Sequence, residues 1–241
     1  MKKLILAAFA LTAAVSVFAQ GTILFNTDVP STIVTTIYAP LATSGPNMYV
    51  SQLGNGVSAT EDYPVGTTVW SSYATIIGQN GLAGKYGASG TYAELLAAPG
   101  TGDPASSLQP GAGYINNSGI TTFRTGAYYG YVAGITPTFS NLTPGNVGAT
   151  LEIVAWDNSS GNYSTWAVAS VAWKAGLIAA GTDLFNLNAT IGGPTTPTPT
   201  VPPDVVGAQS FNLYFEPIPE PATFALAGLG LATLLVFRRR S

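Results

Sequence analysis

Carboxylates are the groups through which this chain could do chemistry. Its 241 residues contain no histidine and no cysteine. Within the chain, that excludes a Ser-His-Asp triad, a Cys-His pair and a zinc ion held by imidazole or thiolate. No Gly-x-x-x-x-Gly-Lys-Ser/Thr phosphate loop occurs either. Glycoside hydrolysis needs only two acids facing one cleft, about 5–9.5 Å apart. Glu152 and Asp157 are the candidates, because acids are scarce. If residues 150–156 form a strand, their odd separation sends them to opposite faces, which weighs against the pair. Glu61 and Asp62 lie in a turn region and read as solvated.

Two further groups suit binding rather than reaction. Residues 157–162, Asp-Asn-Ser-Ser-Gly-Asn, offer oxygens to a calcium ion. They depart from the EF-hand loop, with serine third, glycine fifth and no distal glutamate, and a hairpin loop is the plainer reading. Trp70, Trp156, Trp166 and Trp173 could stack on sugar rings or fill a core. Read as one strand, residues 165–173 turn Trp166 and Trp173 to opposite faces, and one of the two is then an exposed, sugar-stacking candidate. No metal site and no cofactor are expected.

The elements that must position these groups are short and β-like. Glycine occurs 28 times and proline 17 times, and only 8% of residues are charged. Strands are expected at 22–26, 32–38, 47–53, 67–77, 121–125, 127–132, 150–156, 165–173 and 211–215, with 150–156 and 165–173 as a hairpin. Residues 91–97 read equally as a strand or a helical turn. Turn formers fill 54–56, 64–66, 78–90 and 99–120. No sustained helical period appears outside the two termini. The expected fold is therefore all-β, an antiparallel β-sandwich of jelly-roll-like type. Residues 192–203, rich in proline and threonine, could span a wall as an extended linker, but the strand-like 211–215 beyond them favours a surface loop that returns one more strand to the sandwich. Roughly 200 residues suffice for one β domain without disulfides.

Both ends carry apolar runs. Met1-Lys2-Lys3 precedes an apolar stretch over 4–17, and small residues allow a cut between Ala19 and Gln20. This is a secretory signal peptide, residues 1–19, forming an N-terminal signal helix. At the other end, Pro219-Glu220-Pro221 is followed by an uncharged run over 222–237, then Arg238-Arg239-Arg240. The run is short for a bilayer, about 24 Å as a helix against roughly 30 Å of hydrocarbon, yet local thinning accommodates it. A C-terminal transmembrane helix over 222–237 is expected, with the arginines holding its end in the cytoplasm. The two ends agree on one topology: residues 20–216 are exported.

Pro-Glu-Pro, a short apolar helix and a terminal arginine cluster, in that order, resemble the PEP-CTERM sorting signal of Gram-negative bacteria. The resemblance covers residues 217–241. It implies recognition by an exosortase, a membrane-embedded enzyme processing near Pro219, Glu220 and Pro221, then a cell-surface or extracellular destination. The body is also similar to exported PEP-CTERM proteins at residues 155–158 and 210–215, stretches that carry no known activity.

Between residues 20 and 216, ten acids outnumber three bases, Lys85, Arg124 and Lys174. Such a surface has no electrostatic footprint for nucleic acid. Its hydroxyl and amide groups suit a hydrated exopolysaccharide matrix. The reading that follows is an exported, sorted surface protein, membrane-anchored before processing, with a structural, non-catalytic body. The alternatives are a carbohydrate-binding module using exposed aromatics and, less favoured, a carboxylate-dependent glycoside hydrolase.

Overall fold

The computed structural model describes residues 20–54, 75–81, 83–195 and 198–218. The expected signal peptide, the transmembrane run, Pro219–Pro221, Arg238–Arg240, Glu61, Asp62 and Trp70 lie outside them. In chain order the strands are β1 (Gly21–Thr22), β2 (Asp28–Val29), β3 (Ile33–Val34), β4 (Ile37–Tyr38), β5 (Thr91–Pro99) and β6 (Gln109–Pro110). There follow β7 (Ile120–Thr121), β8 (Thr138–Phe139), β9 (Val147–Asp157), the helix α1 (Trp166–Lys174), β10 (Ala180–Thr190) and β11 (Phe211–Asn212). The fold is mostly β with antiparallel pairing and few helices.

Three long strands make the frame. β9 lies between β10 and β5, antiparallel to both, and β6 and β7 pair with the outer edge of β5. Alternate side chains point to opposite faces of this sheet. One face carries Ala93, Leu95 and Ala97 beside Leu151, Ile153 and Ala155, then Phe185 and Leu187. It is covered by Ile23, Phe25, Phe123, Phe139, Phe211 and other buried residues of the short strands and loops. The other face carries Leu96, Val154, Trp156 and Ala180, and α1 packs there through Ala169, Ala172 and Trp173. Burial on both faces explains why residues 91–97 show no alternation: β5 is apolar on both sides, and its identity comes from pairing with β9.

The short strands form three two-stranded pairs, β1–β8, β2–β3 and β4–β11. β4–β11 is parallel, a departure from the antiparallel expectation. The proline- and threonine-rich stretch folds back where Gly193 and Thr200 exchange backbone hydrogen bonds of 2.9 Å, and the chain then runs on to β11.

Other expectations give way to the structure. Residues 165–173, expected as a strand, are α1. Alternating alanine and valine satisfies a period of two, but Trp166, Ala169, Ala172 and Trp173 also recur at helical spacing, and packing on the sheet selects the helix. Among the described residues an α-helix therefore stands where no helical period was read. Pro46–Tyr49 is a 3-10 turn, since Gly45 is left-handed at φ 76° and Pro46 opens the turn. Gly126–Tyr128 is another, and Gly126 (φ 72°) and Gly130 (φ 82°) interrupt the strand expected at 127–132. Of the strand expected at 67–77, the described end contributes a bridge between Ile76 and Tyr38.

Candidate functional site

Helix α1 starts without help from its own N-cap: Thr165 makes no side-chain capping bond. The Trp166 backbone N–H donates instead to the carboxyl of Glu94, which rises from β5 beneath it. A carboxyl at a helix N-terminus is favoured by the unpaired N–H groups there. At the other end, Gly176 is left-handed (φ 67°), with Gly176 N–H on the Trp173 carbonyl at 2.8 Å and Leu177 N–H on the Ala172 carbonyl at 2.9 Å. That is a Schellman closure, and it needs glycine.

Seven residues on a helix are two turns, so Trp166 and Trp173 share a face and meet with ring centroids 5.8 Å apart and planes tilted by 42°. The expectation that they point to opposite faces is corrected with the strand itself. They continue a row of rings: Tyr92 meets Trp156 at 5.8 Å, Trp156 meets Trp166 at 5.7 Å, and Trp173 meets Tyr214 at 5.1 Å. The two indoles on either side of Trp166 are satisfied. Trp156 Nε1 donates to the Tyr163 carbonyl at 2.7 Å and Trp173 Nε1 to the Tyr214 carbonyl at 3.0 Å. Trp173 is buried and Trp166 half-buried.

Beside these rings a cleft separates α1 from the sheet and from residues 105–110. One hollow of about 370 Å³ is bordered by Glu152, Thr182, Ser170, Lys174, Trp166 and Trp173. A second of about 280 Å³ adjoins it across Leu96, Leu108 and Trp166, and reaches Glu94. Glu94 opposes Val154 and Glu152 opposes Leu96, so the two acids are diagonal neighbours on one face, roughly 7 Å apart at Cβ. Sequence reasoning missed Glu94, because only the β5–β9 register brings it to Glu152.

Both acids are buried where water cannot solvate a charge. Desolvation pushes Glu94 up to about 8, against the pull of the Trp166 N–H. It also raises Glu152, against a hydrogen bond from Thr182. Tyr214, at the end of the aromatic row, is raised to about 12 by burial and then by Glu216, to which its hydroxyl donates at 3.3 Å. At neutral pH the cleft therefore offers the largely protonated carboxyl of Glu94, the Glu152 carboxyl with its affinity for a proton raised by burial, several serine and threonine hydroxyls and one ammonium beside an indole face. Such groups suit neutral, hydroxyl-rich molecules better than ions.

The pair expected from sequence, Glu152 and Asp157, is split by the sheet as its odd spacing implies, and Asp157 accepts the Ser159 N–H at 3.0 Å on the opposite side. Residues 157–162 form the loop after β9, closed by the Gly161 N–H on the Asn158 carbonyl at 2.8 Å and the Tyr163 N–H on Asn158 Oδ1 at 2.8 Å. Among the described residues no group of three or more acids is arranged to hold a metal ion.

The body ends against this same helix. Phe215 N–H reaches the Met48 carbonyl at 2.9 Å, and Ile218 packs on the turn at Gly176, where an added Cβ would lie 2.7 Å from Ile218 Cγ1. A family model for the PEP-CTERM protein-sorting motif matches residues 217–240. The tail is a PEP-CTERM sorting signal. No curated protein and no solved structure matches the chain. The PEP-CTERM tail marks an exported protein handled by an exosortase, and its matched range begins one residue before Ile218, without a free spacer after the body. Among the described residues no helix is long and apolar enough to cross a membrane.

Proposed function

We propose that this chain is a surface or extracellular-matrix protein of a Gram-negative bacterium, held in the inner membrane by residues 222–237 and then released or transferred by an exosortase. The observation that carries this reading is the PEP-CTERM match at residues 217–240. The basic start, the apolar run over 4–17 and the cut between Ala19 and Gln20 support the same orientation as Arg238, Arg239 and Arg240. The exported part, residues 20–216, reads as one sandwich-like β domain, supported by a central sheet buried on both faces. A reporter active only in the periplasm, fused after Phe215, is expected to be active. An inactive fusion at normal expression would contradict the topology.

The body's role in this reading is structural and non-catalytic. Acid–base hydrolysis of a glycoside needs two carboxyls whose environments separate their protonation states. Burial pushes Glu94 and Glu152 the same way, and each already has a protein partner, which supports a role without catalysis.

The cleft beside Trp166 favours a second reading, a carbohydrate-binding surface for exopolysaccharide. Indole faces, hydroxyls and carboxyl groups are the groups that hold sugars. Solubilised full-length protein on a glycan array should then bind neutral polysaccharides, and Trp166→Ala, checked for folding by circular dichroism, should lose that binding. Uniformly blank arrays for the unaltered chain would leave the structural role alone.

A further inference from the structure

The outward side of α1 is the wrong composition for a helix facing water. Val168 is 49% exposed and Val171 69%, and beyond the Schellman turn Leu177 is 68% exposed. Ala167 and Ala175 are exposed beside them, Lys174 is the one charged side chain on the helix, and no acid lies between residues 158 and 182. A surface helix normally turns polar residues outward. Ile218, 62% exposed, extends the same patch by packing on Gly176.

The position of the patch says what covers it. Only three residues separate Ile218 from Ala222, where the uncharged run begins. Even fully extended, four residue steps span at most about 14 Å. If the run sits in a bilayer, the C-terminal end of α1 cannot be farther from the headgroups than that. We propose that the outer face of α1, with Leu177 and Ile218, rests on the lipid bilayer and holds the body in one orientation while the tail is anchored. This rests on the reading of residues 222–237 as a membrane span.

Valine, leucine and isoleucine side chains would enter the headgroup boundary, and Lys174 would reach lipid phosphate from the last helical turn. The contact is too small to hold the protein by itself; the tether supplies the high local concentration that makes it persist. Two consequences follow. Pro219-Glu220-Pro221 is presented at a fixed height above a membrane-embedded enzyme, and a cut there releases the body from lipid altogether. The rest of the exported part carries a net negative charge, so adhesion comes from apolar contact and depends little on salt.

The absence of cysteine permits single-site labelling. Val171→Cys, Leu177→Cys and Val147→Cys, the last 71% exposed at the far end of β9, would each carry an environment-sensitive fluorophore on the full chain. The labelled proteins are inserted in vesicles of phosphatidylethanolamine and phosphatidylglycerol that contain headgroup-level spin-labelled lipid. The expected result is quenching at 171 and 177 several-fold stronger than at 147, persisting in high salt. Val168→Glu combined with Leu177→Glu should remove the quenching at 171 while the chain still floats with the vesicles. Flotation with equal quenching at all three sites would overturn the docking and leave the membrane span standing. A blue shift at 171 without lipid quenching would assign the patch to the tail or to a second copy instead. Failure of the unaltered chain to float would overturn the span, and the docking with it.

Discussion

Glu94→Gln is expected to raise the melting temperature markedly at pH 8 and to leave it nearly unchanged at pH 4. The folded chain holds Glu94 near 8, through burial, while the unfolded chain releases that proton near the ordinary value of 4.5. Below 4.5 both states are protonated and the folded state bears no penalty. Between 4.5 and 8 the folded state binds more protons than the unfolded one, so stability falls as pH rises. By pH 8 the loss is on the order of 4 kcal/mol. Glutamine keeps an oxygen for the Trp166 N–H but does not titrate, so it restores that stability only at the alkaline end. For a domain of this size the gain at pH 8 is roughly 10 °C. Glu152→Gln acts in the same direction. Thermal unfolding followed by circular dichroism at the two pH values checks this, and an equal shift at both would show that the carboxyl is not held neutral.

What the sequence made legible, and what it did not, divides along physical lines. β9 was readable at residues 150–156 because β-branched and aromatic residues crowd a run bounded by turn formers. The tail was readable because a sorting signal is linear: its meaning lies in the order Pro-Glu-Pro, apolar run, arginines, and needs no fold. α1 was misread because Ala-Val-Ala-Ser-Val-Ala fits two periods at once. The decision is tertiary, made by Trp166 packing on Trp156, by Trp173 packing on Trp166, and by Glu94 meeting the helix N-terminus. Glu94 itself was invisible as a site residue, since an acid in a two-sided apolar strand acquires its partners only from the register with β9. The parallel β4–β11 pair was equally out of reach, because its paired residues, Ile37 with Phe211 and Tyr38 with Asn212, lie far apart in the chain and no local pattern encodes that meeting.

The second large effect concerns sorting. A plain membrane anchor needs the apolar run and the arginines, but not Pro219, Glu220 and Pro221. The sequence places a proline on each side of Glu220, a pattern that disfavours regular helix, and the sorting reading makes those three residues what the enzyme recognises. Pro219→Ala with Glu220→Ala is therefore expected to abolish processing without altering insertion. In a host with an exosortase, the chain lacking only its signal peptide should accumulate in the inner membrane, detectable by fractionation and blotting. Normal release of the double variant would mean that the segment is not what the enzyme reads.

The most direct measurement is the intact mass of the unaltered protein recovered from an exosortase-bearing Gram-negative host. The account predicts a mature chain that begins at Gln20 and has lost Arg238, Arg239 and Arg240 through a cut near Pro219-Glu220-Pro221. A population in which every molecule still ends in Arg240-Ser241 would contradict it, and the tail would then be an anchor and nothing more.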